Sequence, residues 1–241
     1  MSGRVPSGRA GRNRLGQHFL GSSRLASQLV ADAGVTRDDR VIELGAGRGV
    51  LTRALADRAA QVLAVELDPK LVSILVRRFG SVPNVAVLRA DARDVPLPAN
   101  AYRVLANLPF GVTSAILRRL LDVPASGLRR ADLIVQWQVA RERVRAATGP
   151  PTDLLGVRWA PWWEFRRGRR LPAASFRPRP SVDAAVLVVI RRDPPLLPIS
   201  ASRRYASFIG RAFRSRADAR DLGVEQWVDL FRGFARLRPS G

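Results

Sequence analysis

The chain has no cysteine. Disulfides, thiolate zinc sites and cysteine nucleophiles are thereby excluded. His18 is the only histidine in 241 residues, which argues against a Ser-His-Asp relay and a histidine-rich metal centre. Acid is scarce: 20 Asp and Glu stand against 41 Lys and Arg, a formal net charge of +21. Lysine is scarcer still, since Lys70 is the only one. No apolar run is long enough to cross a bilayer. The stretch Met1–Arg14 is rich in Gly, Ser and Arg and lacks the apolar centre of a signal peptide. These absences predict a cytoplasmic protein without a metal.

What is present points to a polyanion and a real core. A bias of genome composition can replace Lys by Arg, but it does not create this excess of base over acid. A chain so basic is expected to meet nucleic acid. At 46% hydrophobic residues it can bury one domain with a small appendage. Short apolar strands are predicted at 41–44, 62–66, 85–88, 104–106 and 133–135, with helices at 22–33, 50–58, 70–79 and 113–121 between them. Alternation of this kind indicates a parallel sheet covered on both faces. Segments 159–166 and 184–190 read as a closing pair with an antiparallel member, joined by a Pro- and Arg-rich loop. The expected organisation is a flexible basic arm at 1–14, a main α/β domain at 15–193 and a small helical domain at 194–241. The last follows a Pro-rich linker at 193–198. Tyr205, Phe208, Ile209, Ala212 and Phe213 would share a face of its first helix, with Arg203, Arg204, Arg211, Arg214 and Arg216 beside them. Val224, Trp227, Val228 and Phe231 would share a face of the second.

Three motifs carry chemistry. Glu43-Leu44-Gly45-Ala46-Gly47-Arg48-Gly49 lies between a strand and a helix, where glycines allow a tight turn and close backbone approach to a ligand. Its third glycine comes one residue earlier than in the dinucleotide fingerprint. Glu66 and Asp91 end successive strands at the carboxyl edge, where open sheets bind ligands. A carboxylate there can accept ribose hydroxyls or an adenine amine, and both suit a cationic sulfonium donor without phosphate. Asp91 also has the spacing of a turn or cap residue. Asn107-Leu108-Pro109-Phe110 ends the fourth strand. Pro109 fixes its own φ and biases Leu108 away from helix. The Asn107 side chain and the Leu108 carbonyl can then accept both hydrogens of one exocyclic amine, with Phe110 stacked on the base. The run Arg166, Arg167, Arg169, Arg170, Arg177 and Arg179 reads equally as a solvated loop or a phosphate-contacting surface. Trp137, Trp159, Trp162, Trp163 and Trp227 read as packing residues.

Taken with Gly16-Gln17-His18-Phe19-Leu20, Glu66-Leu67-Asp68, Asp91-Ala92 and Phe176-Arg177-Pro178-Arg179-Pro180-Ser181-Val182-Asp183, these motifs resemble, in order, those of the ribosomal RNA adenine N6-methyltransferases. The resemblance covers nearly everything after the arm. It implies a class I methyltransferase fold, Rossmann-like and α/β, with a seven-stranded sheet, a small C-terminal helical domain and S-adenosyl-L-methionine as cofactor. It implies that His18 and Leu20 border the donor, that Gly45 lies beside its methionine part, Glu66 at the ribose and Asp91 at the adenine. Asn107 would contact donor and target. Asn is commoner than His at position 18. Three features favour the erythromycin-resistance (Erm) branch, which acts on 23S rRNA and confers resistance to macrolide-type antibiotics, over the housekeeping branch acting on 16S rRNA. They are Phe110 in place of Tyr, the 224–231 helix and the arginine-rich arm. A monomer without metal is expected, with a non-catalytic RNA-binding protein of the same fold as the rival class.

Overall fold

A computed structural model describes residues 18–148, 154–215 and 222–237. The basic arm at 1–14, Gly16, Gln17, Arg216 and the side chains of Phe213 and Arg214 lie outside the described residues.

In chain order the elements are β1 (Phe19–Leu20), α1 (Ser23–Asp32), β2 (Arg40–Leu44), α2 (Val50–Ala56), β3 (Gln61–Glu66), α3 (Pro69–Phe79), β4 (Val85–Arg89), β5 (Tyr102–Asn107), α4 (Thr113–Leu121), β6 (Leu128–Gln136), α5 (Trp137–Thr148), α6 (Leu154–Trp159), β7 (Trp163–Leu171), β8 (Phe176–Arg177), β9 (Ala184–Arg191), α7 (Ser202–Ser215) and α8 (Val224–Leu237). Seven strands form one sheet in the order β4-β3-β2-β5-β6-β9-β7. Neighbours are parallel from β4 to β6, and β9 runs antiparallel to both β6 and β7. The expected α/β architecture, including its antiparallel member, is therefore present.

Local chemistry explains the elements that frame the site. Ser22 caps α1 by accepting the Leu25 N–H at 3.3 Å, and Ala26, Leu29 and Val30 supply its buried stripe. Asp68 caps α3 by accepting the Lys70 N–H at 2.8 Å, and Pro69 follows at the first helical position. The cap stands two residues after Glu66 and α3 begins at the third, so β3 ends where its acid stands.

Two corrections concern the far end of the sheet. Trp159 closes α6 rather than opening a strand; β7 begins at Trp163 and continues through the arginine run to Leu171. Arg166, Arg167, Arg169 and Arg170 thus sit on an edge strand, not in a loop. An edge strand pairs on one side only and tolerates charge. The segment around Phe19 is also not a plain loop, since Phe19 pairs with Arg177 and Leu20 with Phe176.

Trp159, Trp162, Trp163 and Trp227 are buried, as expected of packing residues; Trp137 is only half-buried. The faces of α7 and α8 enter the same core cluster as Trp159, Trp162 and Trp163. Tyr205 meets Trp162 edge-on at 5.7 Å and Phe231 at 5.2 Å.

Candidate active site

The carboxyl ends of β2, β3, β4 and β5 converge on a cleft of about 570 Å³, partly open to solvent. Gly45, Glu66, Asp91 and Pro109 line it, with apolar walls from Leu67, Val112 and Ile116 among others. Sequence reasoning missed those walls. Leu67 had one usable signal, a large apolar side chain directly after a strand-end acid; it remains 44% exposed.

The glycine loop crosses the mouth of β2. Gly45 and Ala46 donate to the Val65 carbonyl, each at 2.9 Å, which ties the loop to β3. Gly47 has φ +58, and a Cβ there would lie 2.9 Å from two atoms of the Phe19 ring. Only glycine meets both demands, and the contact seats the N-terminal segment against the loop.

Glu66 is buried, 3% exposed, and three backbone donors converge on it. Gly47 N–H reaches Oε2 at 2.8 Å; Leu67 and Asp68 N–H reach Oε1 at 2.8 and 2.9 Å. A carboxylate offers about four acceptor positions, so Glu66 keeps capacity for roughly one further donor such as a ribose hydroxyl. Asp91 is held by Arg93, whose Nε and Nη2 reach its two oxygens at 3.0 and 2.6 Å. It also accepts the Arg93 N–H at 2.8 Å, so the turn role and the place in the cleft coexist. The Arg93 hydrogen bonds hold the Asp91 carboxyl below the usual carboxylate range.

Asn107 ends β5. Its Nδ2 donates to the His18 carbonyl at 2.7 Å, leaving Oδ1 as an acceptor. The Leu108 side chain is buried, and its carbonyl takes no hydrogen bond from a described residue. Its N–H donates to Ile134 O at 3.2 Å, which fixes the peptide. Phe110 follows in a short 3₁₀ turn, with the His18 ring tilted against it at 5.4 Å. His18 Nδ1 donates to the Pro178 carbonyl at 2.8 Å. The structure therefore brings His18, Asn107, Leu108 and Phe110 together, with Gly45 beside the Asn107 carbonyl. Leu20 is buried in the core under α1, against which Phe110 also packs, and neither Leu20 nor this group of four lines the cleft itself; they stand beside it.

Behind the loop lies Glu43, 2% exposed, which accepts from the Thr52 hydroxyl at 2.6 Å and also from the Thr52 backbone N–H. Burial is the main cause that pushes its carboxyl up to about 8; the Thr52 hydrogen bond opposes this and Glu66 adds to it. An unfolded glutamate titrates near 4.5. Below that pH both states are protonated and the stabilisation is complete. Between about 4.5 and 8 the unfolded chain loses the proton first, so stability falls with rising pH, by up to about 1.4 kcal/mol per unit. Glu43→Gln cannot titrate. Its melting temperature is expected to gain on that of the wild type steadily from pH 5 to pH 8. Parallel thermal-melt profiles over that range would contradict the assignment.

Among the described residues no cluster of His, Cys, Asp and Glu could hold a metal, and no helix is long and apolar enough to cross a membrane. The donor set of the cleft fits S-adenosyl-L-methionine: acid at two strand ends, a tight glycine turn and no arrangement of loop amides around a phosphate.

The family model described as Ribosomal RNA adenine dimethylase matches residues 8–219. The mycinamicin-resistance protein MyrB of Micromonospora griseorubida is 40% identical, over 83% of this chain and 72% of its own. An rRNA adenine N-6-methyltransferase of Corynebacterium diphtheriae is 37% identical over 73% of this chain, and the match spans 67% of that protein's length. Among solved structures, the 23S rRNA methyltransferase ErmE superimposes with a TM-score of 0.74 at 31% identity, covering 91% of this chain and 86% of the other.

Proposed function

The chain belongs to the ribosomal RNA adenine dimethylase family, and from that membership we propose that it methylates N6 of a specific adenine in 23S rRNA, conferring resistance to macrolide-type antibiotics. It acts in the cytoplasm as a metal-free monomer with 15–193 as its catalytic part, and 194–241 serves RNA binding. The observation that carries the reading is the Asn107 amide, whose Nδ2 is committed to the His18 carbonyl. Its Oδ1 and the Leu108 carbonyl are thereby left as two acceptors beside the cleft.

S-adenosyl-L-methionine supplies a methyl group activated on a positively charged sulfur. Gly45, Glu66 and Asp91 hold and orient it. The adenine amine is a poor nucleophile because its lone pair is delocalised into the ring. Asn107 Oδ1 and Leu108 O, each accepting one of its hydrogens, favour a tetrahedral nitrogen whose lone pair is free to attack. Phe110 stacks on the base, a contact worth roughly 1–3 kcal/mol. Alignment supplies the rest. Attack breaks the sulfur–methyl bond and leaves a neutral thioether; the amine proton becomes acidic only then and passes to water, so no strong base is required. An adenine in an unpaired loop reaches the site at the lowest cost in lost stacking.

The choice of 23S over 16S RNA is supported by the likeness to MyrB and to ErmE and by Phe110. Incubation with labelled donor and each purified rRNA should label 23S, with one adenine mapped by primer extension. Label on 16S alone would overturn the reading in favour of the small-subunit reaction. RNA binding without any donor binding in calorimetry would favour a non-catalytic protein.

A further inference from the structure

An irregularity in β7 gathers two arginines around the one tryptophan that the core leaves half-exposed. Arg167 pairs with Leu187 and Arg170 with Ala185, so a step of three residues on β7 faces a step of two on β9. In a regular strand residues three apart point to opposite faces. The extra residue turns both side chains the same way. Their guanidinium carbons lie 4.7 and 4.8 Å from the Trp137 ring centroid.

Trp137 is the first residue of α5, directly after β6, and its N–H donates to the Asp183 carbonyl at 2.9 Å. In the adjacent strand Asn107 is level with Ile134, so Trp137 stands three residues farther out on the same edge as the candidate active site. A guanidinium laid on an indole is held in position while its N–H edge stays free for a planar anion. Arg170 commits its Nε and Nη2 to Asp183 Oδ2, at 3.1 and 2.8 Å, which leaves its Nη1 for an anion. Arg167 has no acid partner among the described residues, whereas Arg166 and Arg169 are paired with Glu164 and Asp32. Arg141 and Arg145 are exposed one and two turns along α5 from Trp137, so the positive stripe continues away from the site.

We propose that Trp137, Arg167 and Arg170 form a phosphate clamp for the RNA strand adjoining the methylated base, and that Arg141 and Arg145 extend its track. The proposal rests on the methyltransferase reading for the position of that base, but its test does not. The clamp binds backbone phosphate, so it positions the strand and carries no sequence preference.

The test uses the full chain and a fluorescent fragment of 23S rRNA. Arg167→Met with Arg170→Met keeps the aliphatic stems over the indole and removes both charges. Anisotropy without donor should show RNA affinity weakened about tenfold or more. The slope of log affinity against log salt should shrink by about 1.4 to 1.8, from two phosphate contacts at roughly 0.7 to 0.9 each. In turnover the loss should appear as a higher KM for RNA, with kcat within about twofold and donor affinity unchanged. Arg53→Met, which removes a charge from an exposed pair with Asp57 on α2, should leave the slope near that of the wild type. Trp137→Leu should weaken RNA binding severalfold with both arginines present, and Trp137→Phe should restore most of it. An unchanged slope in the arginine variant, a loss confined to kcat, or Trp137→Leu matching the wild type would overturn the clamp. A wild-type protein that binds RNA with the expected slopes but never labels it would instead sink the methyltransferase reading.

Discussion

Asn107→Ala should lower kcat for methyl transfer about 10²–10³-fold, the usual cost of removing one preorganised polar group from a reacting centre. The side chain has two duties that this substitution ends together. Its Nδ2 holds the His18 carbonyl at 2.7 Å, and its Oδ1 is one of two acceptors for the target amine. The Leu108 carbonyl remains, so binding of the base weakens less than its activation. The folded protein loses one hydrogen bond, about 0.5–1.5 kcal/mol, and its melting temperature should fall by a few degrees at most. Asn107→Asp separates the two duties. It keeps an acceptor of the same size but sets a carboxylate oxygen against the His18 carbonyl, so the N-terminal segment should loosen. Donor affinity should therefore suffer more in Asn107→Asp than in Asn107→Ala. Single-turnover rates and calorimetry on both variants check this; wild-type kcat in Asn107→Ala would remove Asn107 from the reaction.

The parts of the site that could be read in the sequence are those whose signal is local. Asn107-Leu108-Pro109-Phe110 announces itself because a strand, an amide, a proline and an aromatic coincide within a few residues. The glycine loop does so because φ +58 at Gly47 excludes most other residues. Glu66 and Asp91 were legible as acids at the ends of apolar runs. What was hidden depends on partners far along the chain. Phe19–Leu20 is too short to show a period, and its pairing with Phe176–Arg177 spans most of the sequence. The second half of β7 hid behind its arginines, because an edge position lets exposed charge stand where apolar alternation would otherwise mark a strand. Helix α5 was masked by Arg141, Glu142, Arg143 and Arg145, which interrupt its apolar stripe. Arg93 could not be foreseen on Asp91, although its geometry is local. A carboxylate already held by a guanidinium at 2.6 Å keeps roughly one acceptor position for an adenine amine.

Glu43 and Glu66 read alike in sequence, yet the same substitution should move them in opposite directions. Both are buried, at 2% and 3% exposure, on adjacent parallel strands. Glu43 has only Thr52 beside it, through its hydroxyl and its N–H, and burial outweighs both, so an amide there removes a group that burial disfavours when charged. Glu66 has three N–H donors, one on Oε2 and two on Oε1. Glutamine offers one oxygen in place of two. Whichever way its amide turns, an NH₂ faces either the Gly47 donor or the Leu67 and Asp68 pair. A buried donor left unsatisfied costs about 1–3 kcal/mol, which in a chain of this size corresponds to roughly 2–12 °C in melting temperature. The Gly47 donor ties the glycine loop to β3 beside the Gly45 and Ala46 bonds to the Val65 carbonyl, so methyl-donor binding should weaken with it. The lost charge-assisted contact, about 1.5–3 kcal/mol, adds to the loosened loop, and donor affinity should fall about 100-fold or more. At pH 8, then, Glu43→Gln should melt above the wild type and Glu66→Gln below it, with donor affinity lost only in the second. If both variants shifted together, neither the converging donors of Glu66 nor the isolation of Glu43 would govern this edge of the sheet.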